Sequence, residues 1–264
     1  MLVISKVKII SHYIFFIFFF IISLIAFSCT EKSPTDIDPP EQTEPKLELI
    51  SSFNLQVDEP SGLCFSLDME SLWTVSDNTR KVYKIDLTGK TQKTLSYTGN
   101  DLEGVAINPK DSTIWVAEEN LSQIVQLDTL GNELNRITVT GAGGGSGLEG
   151  ITINSANNHF ILLKEKNPGV LIELDEEFNL LEYKRISFAN DYSGIFYESQ
   201  NQHLWIVSDQ NEKVYKCDME GVVLIEYPID VDKAEGIAVD INNDLVYVVS
   251  DDTEKLYVFE IIDI

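Results

Sequence analysis

The chain is poor in the residues on which most metal and redox chemistry depends, with three cysteines and three histidines among 264 residues. A zinc or iron centre of paired His and Cys ligands has too little to draw on. Bases are also scarce: 19 Lys and Arg face 43 Asp and Glu, for a formal charge of −24. Such a surface repels nucleic acid and anionic lipid and suits cationic partners, divalent metals above all. The same charge also keeps a protein soluble, which accounts for much of it. Catalytic signatures are missing too. There is no G-x-S-x-G elbow, and the glycine run Gly141 to Gly147 carries neither a following helix nor the Gly-Lys-Ser/Thr of a phosphate loop. It reads as a mobile loop.

What the chain has in abundance is repetition. The segments PSGLCF, LEGVAI, LEGITI, YSGIFY and AEGIAV place a glycine at 62, 104, 150, 194 and 236, at intervals of 42, 46, 44 and 42 residues. Fifteen residues after each glycine stands an acid: Asp77, Glu119, Glu165, Asp209 and Asp251. A count that never varies implies one repeated hairpin. Periods in the forties made of short alternating strands predict an all-β protein, a β-propeller with four strands per blade. Calling the strands of a blade A to D from the inside out, the glycine marks A, WTVSD-like segments form B, VYKID-like segments form C, and KTLSY, NRITVT, YKRISF and LIEYPI form D. Between C and D, an Asp opens a turn at Asp86, Asp128, Asp175 and Asp218, with Gly or Asn expected at its left-handed position. The last repeat runs out after strand C, whereas LELISSF is a D strand with no blade before it. The N-terminal strand should therefore complete the last blade and close a five-bladed ring.

The organisation follows from this phase. Residues 1–28 read as a lipoprotein signal peptide: Lys6 and Lys8 precede the apolar run Tyr13 to Phe27, which is short for spanning about 30 Å of hydrocarbon. Cys29 resembles the lipidated cysteine of a bacterial lipobox. Residues 29–46 form a Pro- and acid-rich tether, and residues 47–264 the propeller. Thr30, rather than Asp, after the cysteine points to the outer membrane of a Gram-negative cell. Cys64 and Cys217 fall three blades apart and should be free thiols. A closed propeller is expected to be a monomer.

The candidate site is the channel mouth. The residues before the five glycines, Ser61, Glu103, Glu149, Ser193 and Glu235, should point into it, each glutamate near an acid of the second column: Glu119, Glu165 or Asp251. Hard oxygen ligands in that number favour calcium. Glu119, Glu165 and Asp251 suit metal binding and turn stabilisation equally. Asp77 and Asp209 are expected to tie down the turn after strand B through backbone hydrogen bonds. Trp73, Trp115 and Trp205 share one B-strand position and should fill the core between blades.

LEGITI with LLKEKNPGVLIELD, DYSGIFY, and AEGIAVD with VYVVSDDTEKLYVF resemble the SdiA-regulated (YjiK-like) family, whose most specific segment here is Lys164 to Pro168. The resemblance implies a five-bladed propeller distantly related to NHL repeats, a calcium site and no established enzymatic activity. By position, the matching acids are Glu103, Glu119, Glu149, Glu165, Glu235 and Asp251. The function expected is that of a lipid-anchored, calcium-binding scaffold or binding module. The rival is a calcium-dependent hydrolase, phytase-like or lactonase-like. Lactonase-like sites use histidines, yet His159 and His203 start B strands at the opposite mouth. Phytase-like chemistry wants several bases, and Lys164 and Lys166 are the expected pair.

Overall fold

Strand β1 (Lys46–Asn54) precedes five groups of alternating strands. Blade 1 comprises β2 (Pro60–Phe65), β3 (Ser71–Ser76), β4 (Lys81–Asp86) and β5 (Thr91–Thr94). Blade 2 comprises β6 (Leu102–Ile107), β7 (Ile114–Glu118), β8 (Gln123–Leu127) and β9 (Glu133–Thr138). Blade 3 comprises β10 (Leu148–Asn154), β11 (His159–Lys164), β12 (Gly169–Leu174) and β13 (Leu180–Ile186). Blade 4 comprises β14 (Gly194–Glu198), β15 (His203–Ser208), β16 (Lys213–Cys217) and β17 (Val223–Pro228). Blade 5 comprises β18 (Ala234–Asp240), β19 (Leu245–Ser250) and β20 (Lys255–Ile262), with β1 as its outer strand. The computed structural model describes residues 44–143 and 146–262. Cys29, the signal segment and most of the tether lie outside them.

Closure is as the repeat phase predicts. β1 runs antiparallel to β20, from Lys46 opposite Ile262 to Asn54 opposite Lys255, so both ends of the propeller meet in one sheet. Inner strands such as β2 and β10 are buried at every position, whereas outer β13 is mostly exposed. The inner strands lie between two neighbouring blades, and each of their faces is covered. The core accordingly divides into five apolar clusters, one at each blade junction. Trp115 packs edge-on to Phe160 of blade 3, and Trp205 stacks on Tyr227. Trp73 joins the junction of blades 1 and 2. The three tryptophans are inter-blade core as expected.

The glycines draw the inner strands together at the axis. A Cβ on Gly194 would stand 2.3 Å from the main-chain oxygen of Glu235, and one on Gly236 2.7 Å from the carbonyl carbon of Gly62. No side chain fits there. Cys64 and Cys217 are buried, free, and in different junction clusters.

The C-to-D turns form with one correction. Asp86, Asp128, Asp175 and Asp218 each accept main-chain N–H groups of their own turn, and Gly89, Gly131 and Gly221 take the positive-φ position. In blade 3 that position belongs to Phe178, at φ 65°, rather than to Asn179. Phe178 rests on Trp115 and Phe160 with ring centroids 5.3 Å away in both cases. Aromatic packing outweighs the roughly 1–2 kcal/mol of left-handed strain.

Candidate functional site

The site begins with a one-residue slip in three hairpins. The pairing of β6 with β7 jumps at Leu102/Gly104, that of β10 with β11 at Leu148/Gly150, and that of β18 with β19 at Ala234/Gly236. The extra residue is in each case the glutamate: Glu103, Glu149 or Glu235. A bulge bends a strand and re-aims the side chain of its unpaired residue. In the serine blades the backbone differs. Ser61 stays opposite Val75 and the slip falls on Gly62, while Ser193 donates its N–H to the carbonyl of Val207. All five residues line one cavity of about 190 Å³.

Around this column stand the acids of the second one. Asp77, Glu165, Asp209 and Asp251 line the same cavity. Glu119 turns aside to accept the N–H of Gly147 at 2.8 Å, while its charge falls on Asp101 and Glu149. The end of the glycine run is thereby tied down, as it also is by Ser146, which donates to the main-chain oxygen of Lys166 and accepts the N–H of the same residue. Residues 144 and 145 of that run lie outside the described residues.

A third column was not anticipated. The residues three before each glycine are Glu59, Asp101, Gly147, Asp191 and Lys233. Their main-chain oxygens accept the second-column N–H at Glu119, Glu165 and Asp251, so the in-blade partner of those acids is this column. Side chains then meet across junctions. Asp77 of blade 1 lies beside Asp101 and Glu103 of blade 2, with ligand oxygens of all three within 4.8 Å. Asp209 of blade 4 pairs with Lys233 of blade 5 at 3.1 Å. Asp251 of blade 5 bears on Glu59 of blade 1. The signal was present in the repeat alignment, but a column reading Glu, Asp, Gly, Asp, Lys has no residue type in common.

The turn after strand B is held by a different side chain from the one expected. Ser76, Ser208 and Ser250 accept the N–H of Thr79, Asn211 and Thr253 at 3.0, 3.3 and 3.2 Å. These serines stand one residue before Asp77, Asp209 and Asp251, whose carboxylates are free to face the mouth. Blades 2 and 3 replace the serine with Glu118 and Lys164. Glu118 accepts from the Tyr97 hydroxyl and the N–H of Asn100 and pairs with Arg136. Lys164 is 2% exposed and donates to the main-chain oxygen of Lys166 at 2.9 Å. The basic residues that line the cavity are therefore Lys166 and Lys233, not Lys164 and Lys166.

Crowded carboxylates out of water resist ionisation. Burial first, and then the charges of Glu103, Glu119, Glu165 and Glu235, push Glu149 up to about 11. Burial raises Glu235 to about 8, opposed by Lys233. Glu103 is held well above the usual range by burial and by Glu235, Asp77 and Asp101, while the Ser61 hydroxyl donates to its main-chain oxygen at 2.9 Å. Asp77, Asp101 and Asp251 are raised, again mainly by burial.

A model of the family described as SdiA-regulated matches residues 50–260. Among solved structures, a glutaminyl cyclase from Myxococcus xanthus is 12% identical, with a TM-score of 0.65 over 83% of this chain and 99% of that one. A gluconolactonase from Xanthomonas campestris is 10% identical, with a TM-score of 0.59 over 84% and 96%. A virginiamycin B lyase from Staphylococcus aureus is 15% identical, with a TM-score of 0.51 over 77% and 66%. At such identities the likeness is one of fold.

Proposed function

The chain belongs to the SdiA-regulated family, and from that premise we propose that its propeller binds calcium at the acidic mouth and serves as a binding module on the cell envelope. The observation that carries this reading is Glu149. Its side chain lines the cavity with 8% exposure and has no hydrogen-bond partner among the described residues, and the charges that act on it most strongly, those of Glu103, Glu119, Glu165 and Glu235, are negative. A buried carboxyl in that state is costly unless a proton or a cation neutralises it. Asp77, Asp101 and Glu103 supply hard oxygen ligands close enough to share one ion, and Glu149 and Glu235 extend the set. Six to eight oxygen ligands in flexible geometry are what calcium takes.

Binding rather than hydrolysis is the reading that the mouth supports. The two described histidines begin β11 and β15, at the far end of those strands from the mouth, where His159 pairs with Glu173. Histidine-based lactonase chemistry has no residue here. Lipid attachment at Cys29 and placement in the outer membrane belong to the same proposal and rest on the signal-like N-terminus.

Elemental analysis of purified protein, followed by calcium titration with melting curves, tests the site. At a hundredfold excess over Kd, binding adds about 2.7 kcal/mol and should raise the melting midpoint by several degrees. The shift should vanish in Glu103→Gln/Glu149→Gln/Glu235→Gln. A protein that melts identically with and without calcium overturns the proposal. Membrane fractionation of Cys29→Ser tests the anchor, which is refuted if the variant stays with the membrane as wild type does.

A further inference from the structure

The charges around the mouth are not evenly placed. At the junction of blades 1 and 2 acid faces acid, Asp77 lying against Asp101 and Glu103, and across the junction of blades 5 and 1 Asp251 bears on Glu59 while also feeling Lys233. At the junctions on either side of blade 4, ammonium groups enter. Lys166 pairs with Glu165 and also feels Asp191, and Lys233 pairs with Asp209. Blade 4 itself contributes Ser193 and Gln210 to the lining beside Asp191 and Asp209, the latter paired with Lys233, and has no glutamate before its glycine. One side of the opening is therefore built for a cation, and the other carries donors.

Size supports the same division. The cavity of about 190 Å³ is several times the roughly 30 Å³ that one water occupies in the liquid. A lone ion against the blade 1–2 junction would leave most of that space, and its own outward coordination positions, to something else. Each lysine ammonium has three N–H donors and uses one in its ion pair, so two remain on each.

We propose that the mouth seats a small oxyanion, a carboxylate or phosphate group, as the outward partner of its bound cation, held by Lys166 and Lys233 on the side of blade 4. This rests on the calcium reading above and names the ligand class for the same site. The order of binding follows from the charges. Nine carboxyl side chains line the cavity against two ammonium groups, so an oxyanion is repelled until the cation is in place. Phosphate and carboxylate share the planar or tetrahedral oxygen edge that a lysine pair and a hard cation can clamp together.

The test is titration calorimetry on the full-length protein with inorganic phosphate and, separately, acetate, each with and without saturating calcium. Binding of at least one anion is expected only with calcium present. It should fall at least tenfold in Lys166→Met/Lys233→Met and recover in Lys166→Arg/Lys233→Arg, while calcium still binds both variants, and binds the Met variant no more weakly than wild type because two positive charges have left the cavity. Preference for phosphate over acetate, or the reverse, identifies the group. Anion affinity that ignores the loss of both lysines overturns the inference and leaves the calcium reading standing, as does the absence of anion binding to the calcium-loaded protein. A protein that takes up no calcium sinks both, and anion binding of equal strength without calcium sinks the metal-bridged arrangement.

Discussion

Lys233 crosses the junction of blades 4 and 5 to meet Asp209 at 3.1 Å, while the equivalent positions at the junction of blades 1 and 2 are Asp101 and Asp77, acid against acid. The fold is the same at both places. A single exchange of residue type converts a locally neutral junction into a candidate cation seat, and the pairing energies differ in sign. Function in a propeller of near-identical blades is carried by such departures from the repeat.

Raising the pH should weaken the metal-free protein. Glu149 and Glu235 sit at about 11 and about 8 when folded, above the ordinary glutamate value near 4.3 in the unfolded chain. The folded state thus holds more protons, and the stability they contribute is complete below about pH 4 and is lost as pH rises through the folded values. Each such group sets an upper slope of about 1.4 kcal/mol per pH unit. Urea midpoints measured in chelator should fall between pH 6 and pH 9, and calcium should flatten the profile. A metal-free midpoint that climbs over that range would contradict the described burial of these carboxyls.

Gly194→Ala should be among the most damaging small substitutions. The added methyl meets the main-chain oxygen of Glu235 at 2.3 Å, and backbone cannot swing away as a side chain can. Overpacking of this kind costs about 1–3 kcal/mol, and the upper end is expected. Denaturant unfolding gives the value directly. A loss below about 0.5 kcal/mol would show that the axis is not closed by these glycines.

Phe178→Gly sets two effects against each other. Removing the left-handed strain returns about 1–2 kcal/mol, whereas losing an aromatic side chain packed on Trp115 and Phe160 costs about 3–5 kcal/mol. Packing should win, with a net loss of about 2 kcal/mol by urea unfolding. Phe178→Asn keeps tolerance for the turn but not the packing, and should fall on the same side. A stabilised variant would mean that strain dominates.

Cys64 and Cys217 should resist a thiol reagent in the native protein and react once it is unfolded. Both are buried, and burial pushes Cys217 up to about 12 and Cys64 higher still, so neither supplies thiolate at neutral pH. Timed labelling with mass detection resolves the two sites, and rapid native labelling of either would show that its blade junction opens.

The blade architecture was legible because it is written locally and repeatedly. Alternation marks each strand, Asp86, Asp128 and Asp218 with their glycines mark turns, and the constant interval from Gly104 to Glu119 marks a hairpin. The aim of Glu103, Glu149 and Glu235 into one cavity followed from that phase. The turn residue at Phe178 was not legible, since its strain is offset by rings from two other places in the chain. Nor was the role of Ser76 or Ser208 in capping the turn, because an aspartate beside a serine offers the same kind of acceptor and only geometry chooses between them.

By itself, the order of residues determined the number of blades, the phase of their strands and the ring closed by Lys46–Asn54 against Lys255–Ile262, since these depend on periodicity within one repeat. Only the tertiary structure decided which charge each acid meets. Asp77 finds Asp101, Glu119 finds the N–H of Gly147 and Asp209 finds Lys233, because side chains at a blade edge face the neighbouring blade, and which residue waits there is not recorded by spacing along the chain.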